Sequence, residues 1–138
     1  MNPQRELADA LLRKAKDDLA MARRLAGDPA IPAWGIGFHL QQAVEKAIKA
    51  VLSLHGIEYP RTHSIAVLVD MVSEHDIAVP PQRESLVLLT PFGVLFRYDE
   101  MGPSDAELAN LPSHSTLVTQ VAEVVEWAEK VIGRDRAD

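Results

Sequence analysis

The sequence predicts an all-α protein, an up-and-down bundle of about five helices that forms a single domain over residues 1–138. Apolar residues recur at steps of three and four over long segments, which is the period of an amphipathic helix. Glycine and proline lie between these segments, where they end helices. The short valine-rich stretches fall inside longer helical periods, so strands are not expected.

The first helix is predicted from Pro3 to Ala26. Charged residues fill one face, and Gly27-Asp28-Pro29 ends the helix, since proline cannot continue it. The apolar positions that define the buried face are Leu7, Leu11, Ala15, Leu19, Ala22 and Ala26.

The second helix is predicted from Ala33 to Leu54, and it ends before His55-Gly56. Gly35-Ile36-Gly37 near its start favours the close approach of another helix. Its apolar positions are Phe38, Leu40, Ala43, Val44, Ala47, Ile48, Val51 and Leu52.

A polar stripe on this second helix is the first candidate binding surface. On a projection of about 100° per residue, the stripe lies away from the apolar face. It consists of His39, Gln42, Lys46 and Lys49. Two other interpretations remain open for the stripe, a solvated face or the edge of a dimer interface. His39 could also be a core-edge histidine bonded to a backbone carbonyl.

The later elements are shorter. Thr62 or Ser64 can cap a third helix over residues 65–74. A fourth helix is predicted from about Gln82 to Leu95, although Pro91 and Gly93 interrupt its pattern. The buried edge of the third helix is Ile65, Leu68, Val69 and Val72.

A capping box, Ser104 to Glu107, predicts a short helical turn before the last helix. The last helix is expected from about Ser113 to Ile132. Its core positions are Leu117, Val121, Val124, Val125, Ala128 and Val131.

Composition limits the classes of function. The formal net charge of −6 argues against a broad nucleic-acid surface, although a local basic pocket remains compatible with it. With no cysteine, the chain has no disulfide or thiolate chemistry, which fits a reducing cytoplasm. The N-terminal residues show no signal peptide, and no apolar run approaches a membrane-spanning length, so we expect a soluble, cytoplasmic protein. No metal-ligand motif occurs, and neither a metal nor a cofactor is expected.

Residues 38–50 read FHLQQAVEKAIKA, the most specific string in the chain. It resembles the second helix of the HEPN family (higher eukaryotes and prokaryotes nucleotide-binding domain), which has a polar pair, Gln-Ala, Glu-Lys and a further Lys before an aliphatic run. The resemblance continues through Tyr59-Pro60, Thr62-His63 and Phe96-Arg97-Tyr98, over roughly residues 5 to 132. It implies a bacterial-type helical bundle that often forms homodimers and that acts either as a metal-independent ribonuclease or as the partner of a minimal nucleotidyltransferase.

Ribonucleases of the family carry an arginine followed, after four to six intervening residues, by a histidine. The arginine expected from the resemblance is Arg97, but the matching positions are Gly102, Pro103 and Ser104. No histidine in the chain has an arginine at this spacing before it. A histidine is the natural proton donor or acceptor for phosphodiester cleavage near neutral pH, so no catalytic residue is assigned.

The sequence therefore favours a non-catalytic HEPN-like protein that binds a nucleotide, a nucleic-acid end or a nucleotidyltransferase in a toxin-antitoxin-like pair. The predicted ligand-binding residues are the polar stripe together with Arg97 and Tyr98, since a guanidinium can bond two phosphate oxygens and tyrosine can stack or donate. Arg97 could instead pair with Asp99, Glu100 or Glu45. One alternative function is a ribonuclease toxin that uses a displaced histidine, His39 or His63, and another is a structural or regulatory adaptor.

Overall fold

The computed structural model describes residues 2–94 and 110–137, apart from the side chains of Val94 and of residues 135–137. The elements are α1 (Pro3–Ala26), α2 (Ala33–Leu54), α3 (Ile65–Glu74), α4 (Arg83–Leu86), a 3-10 helix (Val87–Val94) and α5 (His114–Ala137). No strand occurs in these two ranges. The all-α fold predicted from the sequence is confirmed.

The ends of the first three helices agree with the predicted bounds. Asn2 caps α1, because its side-chain oxygen accepts from the backbone N–H of Gln4 at 3.0 Å. Gly56, which follows α2, has a φ of +69°, a left-handed conformation that favours glycine. Of the two predicted caps for α3, Ser64 accepts from the backbone N–H of Val67 at 3.3 Å.

Helix α2 lies at the centre of the bundle and packs against α1, α3, the 3-10 helix and α5. Most of its residues are buried, including all but Phe38 of its predicted apolar positions. The predicted edge of α3 is also buried. Because α2 is enclosed on most sides, any polar side chain on its buried positions needs a hydrogen-bond partner within the protein.

The buried face of α1 is shifted by one residue at its N-terminal end. Ala8 and Leu12 are buried, whereas Leu7, which was predicted to be buried, is 50% exposed. Gly27 ends the helix with a φ of −80°, so the position does not require the freedom of glycine.

The continuous fourth helix predicted from Gln82 to Leu95 is wrong. An α-helix covers only Arg83–Leu86, and the chain then tightens into the 3-10 helix, which contains Pro91. Proline lacks the N–H that an α-helix needs at this point. The 3-10 segment places Phe92 against α2, where a Cβ on Gly37 would lie 2.5 Å from the Phe92 ring. Gly37 therefore allows the close approach that the Gly35-Ile36-Gly37 sequence predicted.

Helix α5 continues to Ala137, beyond its predicted end at Ile132. Gly133 lies in an open environment and weakens the helix without ending it. Val131 is half-buried and Ile132 is buried in its place. The predicted capping box at residues 104–107 lies outside the described residues. Within the described helices, none has both the length and the apolar character needed to cross a membrane.

Candidate functional site

Two buried carboxylates organise the polar side of α2. Asp18 projects from α1 with 5% of its surface exposed, and Glu45 projects from α2 itself with 3% exposed. An isolated carboxylate at either position would be costly, because burial removes the water that stabilises its charge. Each carboxylate is instead bonded to one lysine and one histidine.

The Asp18 cluster, defined as Asp18, His39 and Lys46, joins α1 to α2. One carboxylate oxygen of Asp18 accepts from Nζ of Lys46 at 2.6 Å. The other lies 3.0 Å from Nδ1 of His39, and since a carboxylate only accepts hydrogen bonds, Nδ1 carries the proton. These bonds connect residues 21 and 28 positions apart, so the cluster fixes α1 and α2 against each other.

The Glu45 cluster, defined as Glu45, Gln42, Lys49 and His63, lies further along α2. Oε1 of Glu45 accepts from Nζ of Lys49 at 3.0 Å and from Nδ1 of His63 at 2.9 Å. Oε2 accepts from the side-chain amide of Gln42 at 3.2 Å. The hydrogen bond from His63 to Glu45 attaches the loop before α3 to α2.

Gln41 supports the Glu45 cluster from beneath. Its side chain has no exposed surface, and its amide nitrogen donates to the backbone carbonyl of His63 at 3.3 Å. Its oxygen accepts from Gln42 at 2.7 Å. Gly93 of the 3-10 helix packs on the same amide, since a Cβ there would lie 2.7 Å from the Gln41 nitrogen. The position and orientation of His63 are therefore set by Glu45, which binds its ring, and by Gln41, which binds its backbone carbonyl.

A cleft opens on the outer side of the Glu45 cluster. This loop cleft has a volume of about 250 Å³ and is lined by Lys49, Arg61, Thr62 and His63. Arg61 is exposed and makes no ion pair with the residues that the structure describes. Since the charge of Lys49 is balanced by Glu45, Arg61 supplies the positive charge of the cleft that no described residue balances.

The polar stripe predicted on α2 exists, but the interpretation of a solvated face is wrong. His39, Gln42, Lys46 and Lys49 are all half-buried, because each is turned toward a buried carboxylate. The stripe is divided between two clusters. His39 bonds to a carboxylate and not to the backbone carbonyl considered as an alternative. Arg97 and Tyr98 lie outside the described residues.

Sequence reasoning missed both carboxylates as organising groups, and it considered His63 only as a loop residue or as a displaced histidine of a ribonuclease. The sequence contained a usable signal for each of the two carboxylates. Asp18 stands between Ala15 and Ala22 at core spacing, and Glu45 follows Gln41 by one helical turn on the buried side of α2. An acidic residue in phase with the core predicts a partnered buried carboxylate.

No group of three or more histidine or acidic side chains that could hold a metal ion occurs among the described residues. Each buried carboxylate has a single histidine beside it. The chemistry that the site offers is hydrogen-bond donation from ammonium, guanidinium, hydroxyl and imidazole groups, which suits an anion.

Comparison with curated proteins and with solved structures finds no match to this chain. A family model, described as the HEPN domain, matches residues 8–133. This match includes α2, both buried carboxylates and the loop cleft, and it indicates a function connected with nucleotides or RNA. The chain belongs to the HEPN domain family.

Proposed function

We propose that this protein binds the phosphate of a nucleotide or of a nucleic-acid end in the loop cleft, as a non-catalytic member of its family. The observation that carries the proposal is the convergence of Arg61 with Lys49 and His63 around one small opening. A guanidinium forms paired hydrogen bonds with phosphate oxygens, and an ammonium adds donors that can reorient toward the ligand.

The buried side of the cleft supports this assignment. Glu45 holds Lys49 and His63 by bonds of 3.0 and 2.9 Å, so both side chains lose little freedom when a ligand arrives. Thr62 accepts a hydrogen bond from the backbone N–H of Ser64 at 3.0 Å, which leaves its hydroxyl proton for the ligand. Pre-ordered donors bind more tightly because less entropy is lost on binding.

The size and charge of the molecule favour a small ligand. A volume of about 250 Å³ accommodates one phosphate with part of its sugar, and the net charge of −6 opposes a long polyanion. Within the predicted set, Lys49 and Gln42 belong to the Glu45 cluster beside the cleft, whereas His39 and Lys46 hold the helices together. Arg97 and Tyr98 remain part of the proposal as further ligand contacts.

Substitution of Arg61 tests the proposal, because this exposed side chain can be removed without disturbing the fold. We expect Arg61→Ala to weaken AMP binding about tenfold, as estimated for the loss of a charge-assisted hydrogen bond. Isothermal titration calorimetry at low salt measures the effect. Arg13→Ala, which removes an exposed arginine from α1, is the matched control and should bind AMP like the wild type. Equal affinity of all three proteins would contradict the proposed site.

The proposed partners follow from the family. We propose a homodimer in a reducing, bacterial-type cytoplasm, with a minimal nucleotidyltransferase as the partner in a toxin-antitoxin-like pair. The absence of cysteine supports the reducing compartment. Apolar side chains away from the loop cleft are exposed and supply surface for association, among them Met21, Trp34, Val67 and Val79. Sedimentation of the purified chain, alone and with the co-expressed nucleotidyltransferase, measures both interactions.

A ribonuclease with a displaced histidine is the second candidate function, and the Glu45–His63 bond favours it. With Nδ1 of His63 bonded to Glu45, the other ring nitrogen, Nε2, is available to exchange a proton with a ribose 2′-hydroxyl. His63 is preferred to His39 because it lines the loop cleft. His63→Asn keeps a donor toward Glu45 and removes Nε2. If RNA cleavage by the wild type persists in this variant, the catalytic assignment fails.

A further inference from the structure

A second cavity lies next to the loop cleft, where the start of α1 meets the end of α2. This N-terminal groove, of about 550 Å³, is walled by Pro3, Leu7, Ile57 and Tyr59, with Ser53 and Glu58 as polar groups. Leu7 is half exposed at its edge, although leucine at this phase of an amphipathic helix would ordinarily be buried. The groove thus presents apolar surface that the described residues leave uncovered.

Tyr59 lines the groove and also contacts Lys49, a residue of the loop cleft. Nζ of Lys49, which lines the cleft, lies 5.4 Å from the centre of the Tyr59 ring. The Tyr59 hydroxyl lies 3.3 Å from Oγ of Ser53, which lines the groove. The ring is therefore fixed by a cation on one side and by a hydrogen bond at its end. Lys49 and Ser53 are one helical turn apart, so a residue of each cavity lies roughly 6 Å from a residue of the other along α2.

We infer that the N-terminal groove binds the base of the same nucleotide whose phosphate occupies the loop cleft, an inference that rests on the proposed function. A phosphate and a base joined by one ribose match two adjacent cavities, one cationic and one apolar. The Tyr59 ring offers a stacking surface, and Leu7 and Ile57 offer further apolar contact to a base.

The charge of the groove favours the base of the nucleotide over a second phosphate as the occupant. Glu58 is exposed at the groove and would repel a second phosphate, whereas its carboxylate can accept hydrogen bonds from the amino group of a base. The side-chain amide of Gln4 also lines the groove and can donate to or accept from a base edge. The preferred occupant is a nucleoside monophosphate, or the terminal nucleotide of an RNA, whose base carries an N–H donor.

The test compares three probes by calorimetry, AMP, ribose 5-phosphate and inorganic phosphate, on the wild type, Leu7→Ala and Arg61→Ala. We expect the wild type to bind AMP about tenfold more tightly than ribose 5-phosphate, the scale of one stacked base. Leu7→Ala should reduce this preference severalfold and leave the affinity for ribose 5-phosphate unchanged. Arg61→Ala should weaken both ligands by the same factor.

Met21→Ala is the matched control, because Met21 is an exposed apolar residue on the same helix, outside the groove. It should retain the full preference for AMP. Equal binding of AMP and ribose 5-phosphate by the wild type would overturn the base site and leave the phosphate site standing. Failure of all three probes to bind would overturn both.

Discussion

The Asp18 and Glu45 clusters contain the same kinds of side chain but have different roles. In each, a buried carboxylate binds one lysine and one histidine through Nδ1. The Asp18 cluster draws both partners from α2 and so connects two helices. The Glu45 cluster draws its histidine from a loop, and this loop adds Arg61 and Thr62 to form a cleft. We propose that this difference in surroundings, with Arg61 beside the Glu45 cluster, makes one cluster part of a binding site while the other is structural.

The largest effect is expected from removal of the Asp18 carboxylate. Asp18→Ala leaves Lys46 and His39 without their partner at the α1–α2 contact and should reduce the free energy of unfolding by about 3 kcal/mol. Asp17→Ala, which changes the exposed neighbour, should cost less than about 0.5 kcal/mol. Urea unfolding followed by circular dichroism measures both. Equal losses would show that Asp18 does not hold the helices together.

The next largest effect is expected from displacing Gln41, the side chain that supports the Glu45 cluster. Gly93→Ala places a Cβ 2.7 Å from the Gln41 amide, so Gln41 must move away from the His63 carbonyl. We expect a loss of about 2 kcal/mol in unfolding free energy, together with weaker phosphate binding. Gly133→Ala meets no atom within 4 Å and should stabilise α5 by about 0.5 to 1 kcal/mol. A stable Gly93→Ala protein with normal binding would contradict the supporting role.

The smallest effect is expected at a surface ion pair. Arg83 and Asp70 are 2.8 Å apart, but their side chains are 46% and 58% exposed. Water and salt screen such a pair, so Arg83→Ala should change the unfolding free energy by less than about 0.5 kcal/mol. A loss as large as that of Asp18→Ala would remove the distinction between buried and exposed carboxylates.

Sequence alone predicts much of this architecture, because helical periodicity and chain-breaking residues act locally. The bounds of α1, α2 and α3 and the phase of the α2 stripe follow from these signals. Helical phase separates Asp18 from the exposed Asp17, however, without showing that His39 and Lys46 are the partners of Asp18, which depends on the packing of α1 on α2. The same holds for the cleft, since the position of Arg61 depends on how the loop returns to α2. Pro91 and Gly93 indicated that the α-helical pattern is interrupted within residues 87–94, but they did not specify a 3-10 helix.

The most direct test of the central claim compares two substitutions of a carboxylate by its amide, Asp18→Asn and Glu45→Gln, for binding of inorganic phosphate and AMP at low salt. Each removes one buried negative charge at constant shape. Glu45→Gln should weaken binding about fivefold, because Lys49 and His63 lose the buried carboxylate that holds them in place at the cleft. Asp18→Asn should lower stability and leave binding unchanged. If both variants change phosphate affinity equally, or neither does, the two clusters do not differ in the way proposed.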